Sequence, residues 1–129
     1  MKLDYNYLKK ILVIMEEHPE HQIQLNDLAE KALENQQDNK FNDKFIGHIK
    51  ILYDNGCFDT LKPGDLGILL TNSGIICNVN MEYRLTARGS EFLDILRNDT
   101  VFNKIKQFAI STAIEIGKNL LLDNTKGII

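Results

Sequence analysis

The stretch FIGHIKILYDNGCF, residues 45–58, decides the fold, because it contains the end of one helix and the start of a strand. Its apolar side chains occupy positions i, i+1, i+4, i+7 and i+8, which predicts a helix with one buried face. Gly56 follows that face and suits the left-handed conformation that ends many helices. The short apolar run after Gly56 is typical of a strand. We therefore predict a helix from residue 42 or 43 to residue 55, followed directly by a strand.

Two further helices are predicted before this stretch. The first runs from Asp4 to His18, with Asp4 as its N-cap and Pro19 ending it. The second runs from Asn26, as its cap, to Leu33. The polar run at residues 34–40 is interpreted as a solvated connection to the third helix.

A β-ribbon and two helices are predicted after the stretch. The turn composition at residues 72–74 lies between an apolar run at residues 66–70 and a longer run from Ile75 to Thr86, which predicts a β-ribbon longer than an average wing. Thr86 is expected to cap a helix that ends near Arg97. A single long helix is then expected from Val101 to about Leu122, with a frayed tail at residues 123–129.

This order of elements indicates an α+β, mainly α fold, namely a winged helix–turn–helix. Three helices followed by a β-hairpin wing place the third helix in the recognition position. We assign residues 1–98 to the winged helix–turn–helix domain, with two C-terminal helices of which the last is long. Residues 99–122 form that long helix and are interpreted as an association element, and residues 123–129 form the tail.

Two stretches carry a resemblance to a known family. They are residues 45–58, already quoted, and YRLTARGSEFLDILRNDTVFNKIK, residues 83–106. Together with the opening MKLDYNYLKKILVIMEE, they closely resemble an uncharacterised winged-helix family of short proteins from phages, prophages and mobile elements, domain of unknown function 2513. The resemblance spans roughly residues 1–122. It implies a winged-helix fold and a mobile-element context, and it implies no activity.

Composition narrows the function classes. The chain has 129 residues with a formal net charge of −3, which is unusual for a DNA-binding protein. Its two cysteines, Cys57 and Cys77, suggest buried reduced thiols rather than a disulfide framework, and we expect a cytoplasmic protein. No apolar run is long enough for a membrane span. We find no catalytic constellation, metal site or cofactor motif, so we expect a non-enzymatic protein.

Double-stranded DNA is the favoured partner at this point, because the winged helix is a DNA-binding scaffold. The expected DNA contacts lie on an exposed side of the third helix, in the wing and at its base: Asn42, Lys44, His48, Lys50, Lys62, Arg84 and Arg88. The alternative is a winged-helix protein–protein interaction module that does not bind DNA.

A homodimer is also expected, because the last helix carries more apolar surface than one small domain needs to bury. Its interface is expected at residues that recur along one stripe of that helix: Val101, Ile105, Phe108, Ile116 and Leu120.

Overall fold

The computed structural model describes residues 2–126, which form six helices and five short strands. The fold is α+β and mainly helical. In chain order the elements are α1 (Tyr5–Glu17), β1 (Ile23–Gln24), α2 (Leu25–Ala32), α3 (Asp43–Asp54), β2 (Phe58–Thr60), β3 (Ile68–Thr71), β4 (Gly74–Cys77), β5 (Glu82–Leu85), α4 (Ala87–Arg97), α5 (Asp99–Ile105) and α6 (Ile110–Lys126).

Helix α1 confirms the prediction closely. The Asp4 side chain accepts a hydrogen bond from the Tyr7 amide and so caps the helix, and His18 is its C-cap. The apolar stripe is buried in the core: Leu8, Ile11, Leu12 and Met15.

The predicted cap of α2 is wrong. Asn26 lies inside the helix, and the N-cap is Gln24, whose side chain makes no capping bond. The amides of Leu25 and Asn26 instead donate to the carbonyls of Met81 and Val79, at 2.7 and 3.0 Å. Backbone from the base of the hairpin therefore satisfies the free amides at the start of α2, so no capping side chain is needed.

Helix α3 begins after Asn42, whose side chain caps it, and it ends at Asp54, one residue before the predicted end. Gly56 has a φ of +74°, the left-handed conformation expected at that position. The chain then enters β2 and later α4, in which Gly89 packs against the backbone of Cys57. A Cβ atom at Gly89 would lie 2.1 Å from the Cys57 carbonyl oxygen, so only glycine permits this approach.

The strands form two separate antiparallel sheets. The first has the order β1-β5-β2, and Tyr83 of β5 pairs with both Ile23 and Thr60. The second is the β3–β4 hairpin, which lies between β2 and β5 in the chain. The hairpin was predicted, but a continuous ribbon to Thr86 was not correct, because residues 78–81 break it and β5 joins the other sheet.

The single long C-terminal helix was also wrong. Helix α5 ends at Ile105, the chain turns at residues 106–109, and α6 begins at Ile110 and continues to Lys126. The predicted tail at residues 123–129 is therefore helical to residue 126, and residues 127–129 lie outside the described part. Among the described residues, no helix has both the length and the apolar character that crossing a bilayer requires.

One hydrophobic core unites these elements. It includes α1, α3, the first sheet and α4, and it continues into Val101, Ile105, Ile110, Ala113 and Ile114 of the last two helices. The residues expected at a dimer interface thus pack against other residues of the same chain. Val101 and Ile105 are buried, and the others pack against the core as partly buried side chains: Phe108, Ile116 and Leu120. Within the described residues, the apolar surface from which a helix-mediated dimer was inferred is therefore largely used inside the chain, and Leu122 of α6 remains 57% exposed.

Candidate interaction surface

The candidate DNA-binding residues near the start of α3 interact with other residues of the same chain. The Lys44 ammonium donates to an Asp4 carboxylate oxygen at 3.0 Å and to a Glu34 carboxylate oxygen at 2.7 Å. It also lies 4.6 Å from the centre of the Tyr7 ring. The hydrogen bond to Glu34, followed by the bond to Asp4, raises the pKa of Lys44. Its charge is therefore largely neutralised before any phosphate could approach.

His48 was expected on the exposed side of α3, and that expectation is wrong. The side chain is 0% exposed and packs edge-on against Tyr7, with ring centres 5.0 Å apart. The Asp4 backbone amide donates to Nε2 at 2.9 Å, so Nδ1 carries the proton and donates to the Lys44 carbonyl at 2.7 Å. Both ring nitrogens are satisfied. Burial lowers the pKa of His48, which keeps the ring neutral.

Asp4 joins these groups into one cluster. Desolvation by itself would raise the pKa of Asp4, but the hydrogen bonds from Lys44 and the Tyr7 amide hold it below its ordinary value. We call Asp4, Tyr7, Glu34, Lys44 and His48 the Asp4–Lys44 cluster. It fastens the start of α1 to α3, so its polar groups stabilise helix packing and are not free to contact a ligand.

Three other candidates are also held by neighbours. The Asn42 side chain accepts from the Phe45 amide and donates to the Asn39 carbonyl, both at 2.9 Å. Arg84 donates to Asp59 at 2.9 Å, and Arg88 donates through Nε to the Asn55 carbonyl at 2.8 Å. Arg84 is exposed, so its ion pair with Asp59 can open in water at small cost.

The ammonium groups of Lys50 and Lys62 form neither an ion pair nor a hydrogen bond within the described residues, whereas Arg88 is hydrogen-bonded to a carbonyl. Lys50 is half-buried on the outer side of α3, which also presents the exposed carboxylates of Asp43 and Asp54. Lys62 is exposed in the turn that precedes the hairpin. The outer side of α3 therefore carries charges of both signs.

The hairpin has the opposite character. Residues 66–81, which we call the wing from here on and which exclude Lys62 of the preceding turn, contain no charged residue. Its aliphatic side chains are nevertheless exposed, with Leu69 59%, Leu70 58% and Ile76 59% accessible. Leu69 lies opposite Ile76 and Leu70 opposite Ile75, so both faces of the hairpin carry a pair of large apolar side chains. Exposed contiguous apolar surface of this kind marks an interaction site.

The base of the wing is anchored to the body of the protein. The Tyr83 hydroxyl donates to the Leu66 carbonyl at 2.6 Å, and the Asn78 amide donates to the Gly67 carbonyl at 2.6 Å. The bonds from the first amides of α2 to Val79 and Met81 hold the other strand. These bonds fix where the wing leaves the body, while its outer part touches little else. The wing's apolar surface was visible in the sequence as an uncharged run, which we interpreted only as a ribbon.

The remaining groups that could support chemistry are not assembled for it. Burial raises the pKa of the Cys57 thiol to about 11, which disfavours a reactive thiolate. Cys77 is a free cysteine in β4, and burial raises its pKa as well. Within residues 2–126, no three His, Cys, Asp or Glu side chains group as metal ligands. A surface groove of about 800 Å³ near the start of α1 mixes Lys2 and Lys106 with Asp4 and Asp43.

Comparison with known proteins gives a family. No curated protein matches the chain, and no solved structure matches it either. One family model, described as "Hypothetical protein (DUF2513)", matches residues 2–115. This match covers α1 to α5, the wing and the first turn of α6. The chain therefore belongs to the DUF2513 family of hypothetical proteins.

Proposed function

We propose that this chain is a winged-helix domain that acts as a protein-interaction module through its wing, and that it is not an enzyme. The order of elements supports the winged-helix assignment. Three helices precede β2, and β2 and β5 lie side by side with a hairpin between them in the chain. This order supports the assignment of α3 as the recognition helix and of the hairpin as the wing.

The observation that carries the proposal is the chemistry of the wing. A wing that contacts DNA lies against phosphates and needs Lys or Arg to neutralise them. The wing at residues 66–81 has neither, and it exposes Leu69, Leu70 and Ile76. Burying these side chains against another protein would remove apolar surface from water, whereas a phosphate backbone offers no apolar partner.

The Asp4–Lys44 cluster supports the same proposal. It removes two of the four α3 candidates, Lys44 and His48, from any DNA contact. The net charge of −3 adds to this, since non-specific DNA affinity depends on an excess of accessible cations. We further propose, on the family resemblance alone, a role in phages or mobile elements, and on the free cysteines a cytoplasmic location.

DNA binding is the second candidate, favoured by the free ammonium groups of Lys50 and Lys62. In that case α3 would enter the major groove with Lys50 at its outer side, and Lys62 would contact the backbone beside it.

Fluorescence anisotropy with a labelled random-sequence duplex separates the two functions. At low salt we expect no saturable binding by the full chain. Binding that weakens steeply with salt, and that weakens further in the Lys50→Gln and Lys62→Gln variants, would contradict the proposal and establish the second candidate. Lys118→Gln is the matched control, because Lys118 lies on α6 near Glu91, away from α3 and the wing.

A further inference from the structure

We infer that the outer edge of β4 pairs with β4 of a second copy of this chain, so that two wings form one four-stranded antiparallel sheet. The inference rests on the proposed use of the wing as a protein-contact surface and names the first partner of that surface. Its starting point is the pairing of β3 and β4, which within the described residues pair only with each other.

Both strands of the wing therefore have an outer edge with no strand beside it. Such edges invite pairing with another chain, and proteins usually protect them with a charged residue, a proline or a bulge. Residues 66–81 contain no charged residue and no proline. An isolated two-stranded hairpin is also only marginally stable in water, and further strands stabilise it. The wing thus lacks protection against strand addition and would gain stability from it.

The register of the hairpin fits a two-fold arrangement of two β4 strands. A two-fold axis perpendicular to the sheet at Ile76 places Ile76 opposite Ile76 of the second copy. Because residues opposite each other share a face, one face then carries a row of four aliphatic side chains, Leu69 and Ile76 of each copy. On the other face, Leu70 and Ile75 of each copy continue into Cys77 and Ile68 of the other copy. The apolar character of both faces of the hairpin then has one explanation.

The absence of charge argues for a second copy as the occupant. Across a two-fold axis a surface meets itself, so any charged group near the axis faces a like charge. The body of the protein carries charges on its exposed helices and has a net charge of −3, but the wing is neutral along its whole length. The wing is thus a surface that can face itself without repulsion.

The edge of β4 is preferred to that of β3 because of its central residues. On β4 the central pair is Ile76 with Ile76 of the second copy, and β-branched side chains favour cross-strand packing. On the edge of β3 the corresponding central residue is Leu69, which is not β-branched. Four-residue edges bury less than the roughly 800 Å² per partner of a standard interface. We therefore expect a reversible dimer with a dissociation constant of about 10–100 µM.

Sedimentation equilibrium of the full chain tests this inference, from about 5 µM to about 500 µM, a range that brackets the expected constant. The wild type should approach twice the single-chain mass of 14.8 kDa as concentration rises. Ile76→Lys should weaken association at least about tenfold, because the inserted charge lies at the paired edge. Leu61→Lys is the matched control: Leu61 is 74% exposed, lies outside the wing, and changes net charge by the same amount.

A wild type that stays at the single-chain mass throughout would overturn the inference. So would an Ile76→Lys variant that associates as tightly as the wild type, because the dimer would then use another surface. Circular dichroism shows whether each variant is folded, and the 59% exposure of Ile76 in the single chain means that lysine is accommodated. A wing-dependent dimer that also binds DNA would refute the proposed function and leave this inference standing. A monomer that does not bind DNA would refute this inference alone.

Discussion

The Asp4–Lys44 cluster and the wing place opposite kinds of side chain in unexpected surroundings. In the cluster, polar groups leave the surface and find partners inside the protein, so that His48 is fully buried with both ring nitrogens bonded. In the wing, large apolar groups stay in water without enough neighbours to cover them. The difference teaches that the polar side chains of helix α3 serve internal packing. The wing instead leaves large apolar side chains exposed, which is the surface that we propose a partner covers.

The largest expected effect tests how tightly the body is packed. Gly89→Ala should lower the free energy of unfolding by about 3 kcal/mol or more, because the new Cβ would lie 2.1 Å from the Cys57 carbonyl oxygen. Urea denaturation followed by circular dichroism measures this. The control is Gly64→Ala, which has a φ of +84° but no atom within 4 Å of the new Cβ, and should cost only about 1 kcal/mol. Equal losses in the two variants would contradict the close approach.

The next effect tests the buried histidine. His48→Phe keeps a ring in the site but leaves the Asp4 amide without its acceptor, so it should cost about 1–3 kcal/mol at pH 7.5. His21→Phe, at an exposed position, is the control and should change stability little.

The same pair of variants gives a pH test. Burial holds the pKa of His48 below its ordinary value of 6.5, so below that pH the unfolded chain binds a proton that the folded chain does not. Stability should therefore fall as the pH is lowered from about 7 to 5, by at most about 1.4 kcal/mol per pH unit from this group. His48→Phe should lose that part of the slope, and His21→Phe should retain it. A slope that is steeper in His48→Phe than in the wild type would show that the ring is charged in the folded protein.

Some features of this fold can be predicted from the sequence and others cannot. Helix α1, α3 and the hairpin were predictable, because Asp4, Pro19, Gly56 and residues 72–74 act on their immediate neighbours in the chain. The burial of His48 was not, because its partner Asp4 lies 44 residues away and helical periodicity alone places His48 beside polar neighbours.

The break between α5 and α6 was missed for a similar reason. Residues 106–109 contain neither proline nor glycine, so no local signal interrupts the helical pattern. The Tyr5 hydroxyl donates to the Phe108 carbonyl, and this contact spans 103 residues of sequence. A tertiary contact at the break is visible only in the fold. At the candidate interaction surface, the sequence shows the uncharged run of residues 66–81, but it does not predict that the aliphatic side chains of this run are exposed.

The smallest expected effect lies in the wing. Leu70→Ser removes a large apolar side chain that is 58% exposed, so in dilute solution it should change the free energy of unfolding by about 0.5 kcal/mol or less. Urea denaturation at low protein concentration measures this value. Leu8→Ser, at a fully buried position of α1, is the contrasting variant and should cost several times more. A large loss on changing Leu70 would mean that the wing is packed against the body.

Amide hydrogen exchange at low and high protein concentration tests the central claim most directly, because it reports which backbone amides gain a partner. We expect exchange to slow with concentration in β4, residues 74–77, and to stay unchanged in α3 and α6. Slowing confined to α6, or no dependence on concentration anywhere in the chain, would contradict the claim that the wing is the surface through which this protein meets its partner.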